Sequence, residues 1–338
     1  ESSEMHEQRL IKDLERGEIA ESRKDGNPDA AFAKATKVIE RTYSSPFIAH
    51  NTLEPMNFFA DVKENSVELI GPTQTPKALE DSVSKLLEIP AENITVSMTR
   101  IGGGFGRRLY VHFGVEAAAI SKKMGAPIKL IYTREDDMTQ GTYRPAYRSV
   151  YKAGLDKNNN LIAFSVKGVG LPEGPVFPNR FPAGAVDNYL AEKKMSRTNI
   201  STGAWRAPRS HFTAGAEQAF IDEVAEAAEK DPIDFRLELF EKAINNPVGE
   251  KYEYDAERYA GVLKLVKEKS NWGTGTLALH RGVAAYYCHN SYVAEVMDVV
   301  VENNQPKVKK VWCAVDCGIV INKEGATNMI QGGVIDGI

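Results

Sequence analysis

Four glycines within five positions, Gly102, Gly103, Gly104 and Gly106, are interrupted by Phe105 and followed by Arg107 and Arg108. Without Cβ atoms such a loop lets backbone N–H groups converge on an anion or a flat cofactor, and the arginines add charge-assisted donors. The same glycines would suit a tight structural crossing, so the loop alone leaves both uses open. Phe105 favours a ligand, because an exposed aromatic ring inside such a loop is costly unless it packs against something flat. The loop lacks the Gly-Lys-Ser/Thr ending of a nucleoside-triphosphate site. A dinucleotide fingerprint needs glycine where Arg107 stands, and an acidic residue about 20 positions on, so a nicotinamide dehydrogenase is disfavoured.

Three other segments carry groups able to do chemistry. In Gly71-Pro72-Thr73-Gln74-Thr75-Pro76 two prolines stiffen a bend that would hold the Gln74 amide as donor and acceptor, or would merely cap a helix. Trp205-Arg206-Ala207-Pro208-Arg209-Ser210-His211 sets two arginines and a histidine around a proline-locked turn, an anion clamp or a solvated loop. His50 and Glu54 have the spacing of a helical metal pair, but Asn51, Thr52 and Pro55 favour a turn and a structural hydrogen bond. Cys313 and Cys317 fall on one face of an expected strand and should pack in the core as small hydrophobes. With Cys288 they make an odd count, so neither a disulfide framework nor a metal site is expected, and no Ser-His-Asp or nucleophile-elbow pattern is present.

The elements that must position these loops can be read from periodicity and turn residues. Residues 1–25 are polar, a helix or linker, and Asp29–Arg41 has helical spacing that turns strand-like toward Tyr43. Ser66–Ile70 reads as a strand, Pro76–Leu87 as a helix, and Val96 to Ile101 as a second strand leading into the glycine loop. A helix from Gly114 to Met124 stops at Gly125, and Ile128–Tyr132 is a third strand, which together suggest a crossover unit. Arg148–Leu155 and Leu161–Val169 form a hairpin across 156–160, and Tyr292–Glu302 pairs with Lys307–Val315 across 303–306. Between the hairpins, Ala214–Lys230 is an amphipathic helix and Asp231-Pro232 starts another. The fold class is α+β, with mixed sheets, antiparallel hairpins and packed helices.

Composition excludes several functions. The 338 residues are 42% hydrophobic and 26% charged, with a net charge of −4, so the chain is globular and has no overall positive field for nucleic acid. No apolar run approaches the roughly 18 residues of a membrane span, which reads as a soluble chain.

Five ordered segments, HNTLEP (50–55), GPTQTPKALEDSVSKLL (71–87), IGGGFGRR (101–108), the run from Trp205 to Phe240, and VDCGIVINKEGATNMIQGGVIDGI (315–338), carry a resemblance over about residues 29–338. Together they resemble the molybdenum-binding large subunit of the xanthine oxidase family, in particular the isoquinoline oxidoreductase and bacterial membrane-associated aldehyde dehydrogenase type. The resemblance implies a molybdopterin-binding fold and a molybdopterin cofactor, as a cytosine dinucleotide, with molybdenum. It implies hydroxylation of an aldehyde or N-heterocycle with oxygen from water, and electrons leaving through an iron–sulfur subunit toward a cytochrome or other acceptor. By motif position Gln74 lies near the metal's apical oxo group, Gly103, Gly104, Phe105 and Gly106 form the loop against the metal centre, and Arg206 touches the cofactor.

Departures from the family pattern narrow this reading. Arg108-Leu109 replaces the Lys-Glu of purine-oxidising members, and Arg206-Ala207-Pro208 replaces Arg-Gly-Phe, which makes xanthine a doubtful substrate. The family's general-base glutamate follows well after the motif at Gln331-Gly332-Gly333, so the base is expected beyond Ile338 and no catalytic residue is assigned within the chain. The sequence is accordingly expected to be an internal fragment, inactive and without cofactor by itself, of a periplasmic or membrane-associated parent. Its organisation is expected as 1–45 linker and end of a preceding domain, 46–147 first cofactor-binding subdomain, and 148–338 second subdomain, truncated at its C-terminus. A non-catalytic module that holds a partner subunit is the alternative.

Overall fold

The computed structural model describes residues 2–16, 18–249, 252–274 and 280–338. The chain opens with α1 (Ser3–Arg16), β1 (Ala20–Asp25), α2 (Pro28–Lys34), β2 (Lys37–Ser45) and the two-residue β3 (Ile48–Ala49). The helix expected from Asp29 to Arg41 stops at Lys34. From Lys37 onward Val38, Ile39, Thr42 and Tyr43 belong to a strand whose every residue pairs with the later strand 146–155, because cross-strand pairing outweighs a weak local helical preference.

A first lobe follows, with β4 (Asn57–Val62), β5 (Val67–Gly71), α3 (Pro76–Leu87), β6 (Ile94–Met98), α4 (His112–Met124), β7 (Ile128–Ile131), α5 (Arg134–Thr139) and β8 (Tyr143–Arg144). Its sheet has the order β6-β5-β4-β7. β5 and β6 are parallel neighbours joined over α3, and β7 pairs antiparallel with β4 at the opposite edge, so α4 carries the chain across the whole sheet. α3 starts on Pro76, whose missing N–H is harmless in a first turn, and buries Leu79, Val83 and Leu87 at four-residue intervals against the sheet. α4 ends at Gly125 with φ 63°, whose N–H donates to the Ser121 carbonyl at 2.9 Å. The Gln74 bend and the glycine loop therefore leave the C-terminal ends of two adjacent parallel strands, the edge at which open sheets present ligand-binding loops.

The second lobe contains β9 (Ala146–Leu155), β10 (Leu161–Leu171), β11 (Tyr189–Met195), α6 (Ser210–Ala227), α7 (Pro232–Asn245), α8 (Ala256–Lys269), β12 (His280–Cys288), β13 (Ser291–Glu302), β14 (Gln305–Asp316) and α9 (Lys323–Gly337). Its larger sheet has the order β1-β11-β10-β9-β2, so two strands from the 1–45 stretch form both of its edges. α6, α7 and α8 lie between this sheet and the antiparallel sheet β12-β13-β14. One core runs through all three layers, from Tyr151 and Phe164 through Phe220 and Tyr259 to Val283 and Val296. On the other face of the larger sheet α1 packs Leu10 and Leu14 against Ala146, Val169 and Leu171.

Both expected hairpins form. Asp156 holds the first by accepting the N–H groups of Asn158 at 2.8 Å and Asn160 at 2.9 Å. The second turn is tighter than the four residues expected: Asn303 and Asn304 alone make it, with φ of 52° and 59°, and Pro306 already pairs opposite Val301 on an edge strand that tolerates it. β14 ends at Asp316, so Cys317 is exposed and Cys313 only half-buried, which corrects the expectation that both pack in the core.

Candidate functional site

Gln74 is the hinge between the two loops of the first lobe. Its side-chain Oε1 accepts the N–H of Gly106 at 3.1 Å and that of Arg108 at 3.3 Å, while its own backbone N–H donates to the Arg108 carbonyl at 3.0 Å. This leaves the amide nitrogen as the donor available to a ligand. Gly104 lies directly against it: a Cβ there would stand 2.8 Å from Gln74 Oε1. Gly106 is required on two counts, a φ of 96° and a close crossing in which a Cβ would sit 1.8 Å from the Ala204 carbonyl oxygen.

That crossing brings in the third loop. Ala204 N–H donates to the Tyr110 hydroxyl at 2.7 Å, which fixes the segment before Trp205. Two residues on, the Arg206 guanidinium lies over the Phe105 ring, 5.5 Å from its centre, and Phe105 is otherwise 54% exposed. Arg206 also reaches α9, donating to the Gly332 carbonyl and pairing with Asp336, both at 3.4 Å. Gln74, Gly103, Gly104, Phe105, Gly106 and Arg206, read from three separate segments, thus lie together.

Arg107 and Arg108 depart from expectation. Both are fully buried and latched to protein groups, although Arg107 also reaches the wall of the cavity beside the loop. Arg107 Nη2 donates to Asp137 of α5 at 2.9 Å, and its Nη1 lies 3.3 Å from His112 Nε2. Arg108 donates to the carbonyls of Gly103 and Glu54, each at 2.8 Å, and to Glu54 Oε2 at 3.0 Å. Glu54 Oε2 also accepts the Gly102 N–H at 2.7 Å, so one carboxylate ties both ends of the loop. Sequence reasoning missed these latches because Glu54 and Asp137 are remote in the chain and carry no local signal. The structural hydrogen bond expected of the His50 and Glu54 pair falls to Glu54 alone.

His50 is only 3% exposed, packs edge-on against Trp205 with ring centres 4.8 Å apart, and has no partner for either ring nitrogen among the described residues. Burial, reinforced by Arg107 and His211, pushes its pKa down to about 4. A cavity of about 100 Å³ opens here, walled by His50, Thr52, Gly104, Phe105, Trp205 and Asp336 among others. Among the described residues no group of three or more His, Cys, Asp or Glu is placed to hold a metal ion. The loops instead offer an aromatic face, an amide donor and a guanidinium on a rigid support. These fit a flat, oxygen-rich group that brings its own metal and needs the protein only for hydrogen bonds.

The family described as molybdopterin cofactor-binding domain matches residues 11–240. The chain is 28% identical over 356 residues to a membrane-bound aldehyde dehydrogenase [pyrroloquinoline-quinone] of Gluconacetobacter polyoxogenes, covering 93% of this chain and 45% of the relative. It is 27% identical over 337 residues to isoquinoline 1-oxidoreductase subunit beta of Brevundimonas diminuta, covering 92% of this chain and 41% of that one. The chain thus spans less than half the length of either relative. Quinoline 2-oxidoreductase from Pseudomonas putida 86 shares the fold, with a TM-score of 0.66 at 18% identity over 82% of this chain and 40% of that structure.

Proposed function

Because the chain belongs to the molybdopterin cofactor-binding domain family, we propose that it binds a molybdopterin cofactor through Gln74, the loop from Gly103 to Gly106, and Arg206, as part of an oxidoreductase acting on an aldehyde or N-heterocycle. The observation that carries this reading is the meeting of three loops around Gln74, which holds the glycine loop with its oxygen and keeps its amide nitrogen for a ligand. When bound, the cofactor supplies the metal centre at which the substrate is oxidised. Gln74 would donate to an oxygen of that group, Phe105 would offer it a flat face, and Arg206 would offer a planar fork to an oxygen-rich part. Behind them Arg108 and Glu54 keep the loop from relaxing, so the donors are pre-aimed.

The finer parts of the reading rest on the resemblance. The cofactor is taken as the cytosine dinucleotide form, the electron-accepting partner as an iron–sulfur subunit, and the general base as part of the further length that the relatives have. A relative named as a subunit supports a multi-subunit assembly. A membrane-bound relative supports membrane association through other parts, since no helix of the described residues is long and apolar enough to cross a membrane. The test is dye reduction by the protein purified from its own host, offered an aromatic aldehyde and an N-heterocycle separately. The proposal expects reduction with at least one, weakened in Arg206→Lys. No reduction with either overturns it, and activity restored to cofactor-depleted protein by pyrroloquinoline quinone would replace the pterin with that quinone.

A further inference from the structure

Taking the site to hold a molybdopterin, the reading on which this inference rests, we propose that His50 is a further binding residue. It donates its imidazole N–H to an oxygen of the bound group at the wall of the cavity beside the glycine loop. His50 follows the two-residue β3, and its backbone N–H donates to the Thr142 carbonyl at 3.4 Å, which anchors the main chain. Its ring meets Trp205 edge-on, with 4.8 Å between ring centres, so neighbours from two other segments fix where the imidazole lies. Almost none of the residue reaches bulk solvent, yet it walls the cavity of about 100 Å³ together with Gly104, Phe105 and Trp205.

The other charged, amide and hydroxyl side chains of that wall are already engaged. Arg107 pairs with Asp137 at 2.9 Å and Asp336 with Arg206 at 3.4 Å. Thr52 donates to the Glu54 carbonyl at 2.7 Å, and Asn51 accepts from Arg134. Arg107 Nε has no partner among the described residues, but Gly141 covers it: a Cβ there would stand 3.2 Å away. Among these side chains only His50 brings an uncommitted donor to the cavity, since neither of its ring nitrogens has a partner among the described residues.

Burial and the neighbouring Arg107 charge keep the imidazole neutral, with one N–H and one bare nitrogen. A ring buried in that form needs an acceptor opposite its N–H. Gly104 and Phe105 belong both to the cavity wall and to the loop that would receive a flat, oxygen-rich group, so an oxygen of that group is the acceptor that binding would supply. The Arg107 charge favours an oxygen that carries negative charge.

Two substitutions separate this role from a structural one. His50→Phe keeps a ring against Trp205 and removes the N–H, whereas His50→Gln keeps a donor. In protein purified from its own host, pterin release followed by fluorescence should be about tenfold faster in His50→Phe than in wild type, the loss of one hydrogen bond, and closer to wild type in His50→Gln. Cofactor-depleted His50→Phe should melt no lower than depleted wild type, because an unsatisfied buried imidazole has been replaced by an apolar ring, so the rise in melting temperature on loading should shrink. Wild-type release kinetics in His50→Phe, or an equal fall in melting temperature with and without cofactor, would overturn the role of His50 and leave the cofactor reading in place. Wild-type protein that carries no pterin would overturn both. Should neither variant fold, the His50 ring N–H resonance of wild-type protein decides: a downfield shift on loading is expected, and an unmoved resonance overturns the proposal.

Discussion

Gln74 does two jobs with two atoms, and the variants that separate them are not equivalent. Gln74→Glu keeps oxygens that can accept from Gly106 and Arg108 but loses the amide donor, so thermal stability should hold within about 1 kcal/mol while cofactor content drops. Gln74→Ala should lose both, and a Gln74→Glu protein as destabilised as Gln74→Ala, or one that keeps wild-type cofactor content, would refute the division. Glu217 poses a different residue-scale question. Its carboxyl is enclosed in the core of the second lobe, accepts from Gln218 Nε2 at 3.1 Å, and is pushed up by burial to about 8. The folded state therefore holds a proton that the unfolded chain gives up near 4.5. Its contribution is fully present below that value, declines as pH rises, and is gone above about pH 8, a loss of a few kcal/mol. His50 and His211 act oppositely: their contribution is complete above 6.5 and is lost as pH falls toward 4. Urea denaturation across pH should show Glu217→Gln more stable than wild type at pH about 8 and no better at pH about 4. An unchanged pH slope would mean that Glu217 is ionised in the fold.

At the scale of elements, the glycine loop is held by buried latches to neighbouring segments. Arg107 and Asp137 are both almost fully enclosed, so Asp137→Ala leaves a guanidinium without its counter-charge and should destabilise by about 3–5 kcal/mol in denaturant titration. A loss below 1 kcal/mol would mean that water or another carboxylate takes over. α3, α4 and the two hairpins were legible in the sequence because each is written locally: Pro76 and Leu79-Val83-Leu87, Gly125 as a stop, Asp156 and Asn303-Asn304 as turns. β1 and β11 were not, because Ala20-Glu21-Ser22-Arg23-Lys24-Asp25 and Tyr189–Met195 are polar and lack clean alternation. They become strands only by pairing with each other and, for β11, in parallel with β10. The inward turn of Arg107 and Arg108 was equally illegible, since their acidic partners are set by tertiary contact. The gathering of Gln74, Phe105 and Arg206 could be anticipated only from five segments in a family's order, because no spacing within the chain connects them.

At the scale of the molecule, two lobes with separate cores meet where the ends of β5 and β6 abut the loop that precedes α6. The first lobe supplies the amide and the glycine backbone, the second supplies the guanidinium, and Gly106 is where their backbones cross most closely, a Cβ there falling 1.8 Å from the Ala204 carbonyl oxygen. Any group held by all three loops should therefore bind only while the crossing at Ala204 is intact. The most direct test is metal and pterin content of the protein purified from its own host, by mass spectrometry for molybdenum and by fluorescence after oxidative release for the pterin, in wild type and in Gly106→Ala. Stoichiometric molybdenum and pterin in the wild type, with little of either in a Gly106→Ala protein that still shows native circular dichroism, is the predicted result. A wild-type protein that releases no pterin, or a Gly106→Ala protein loaded as fully as wild type, would contradict the account.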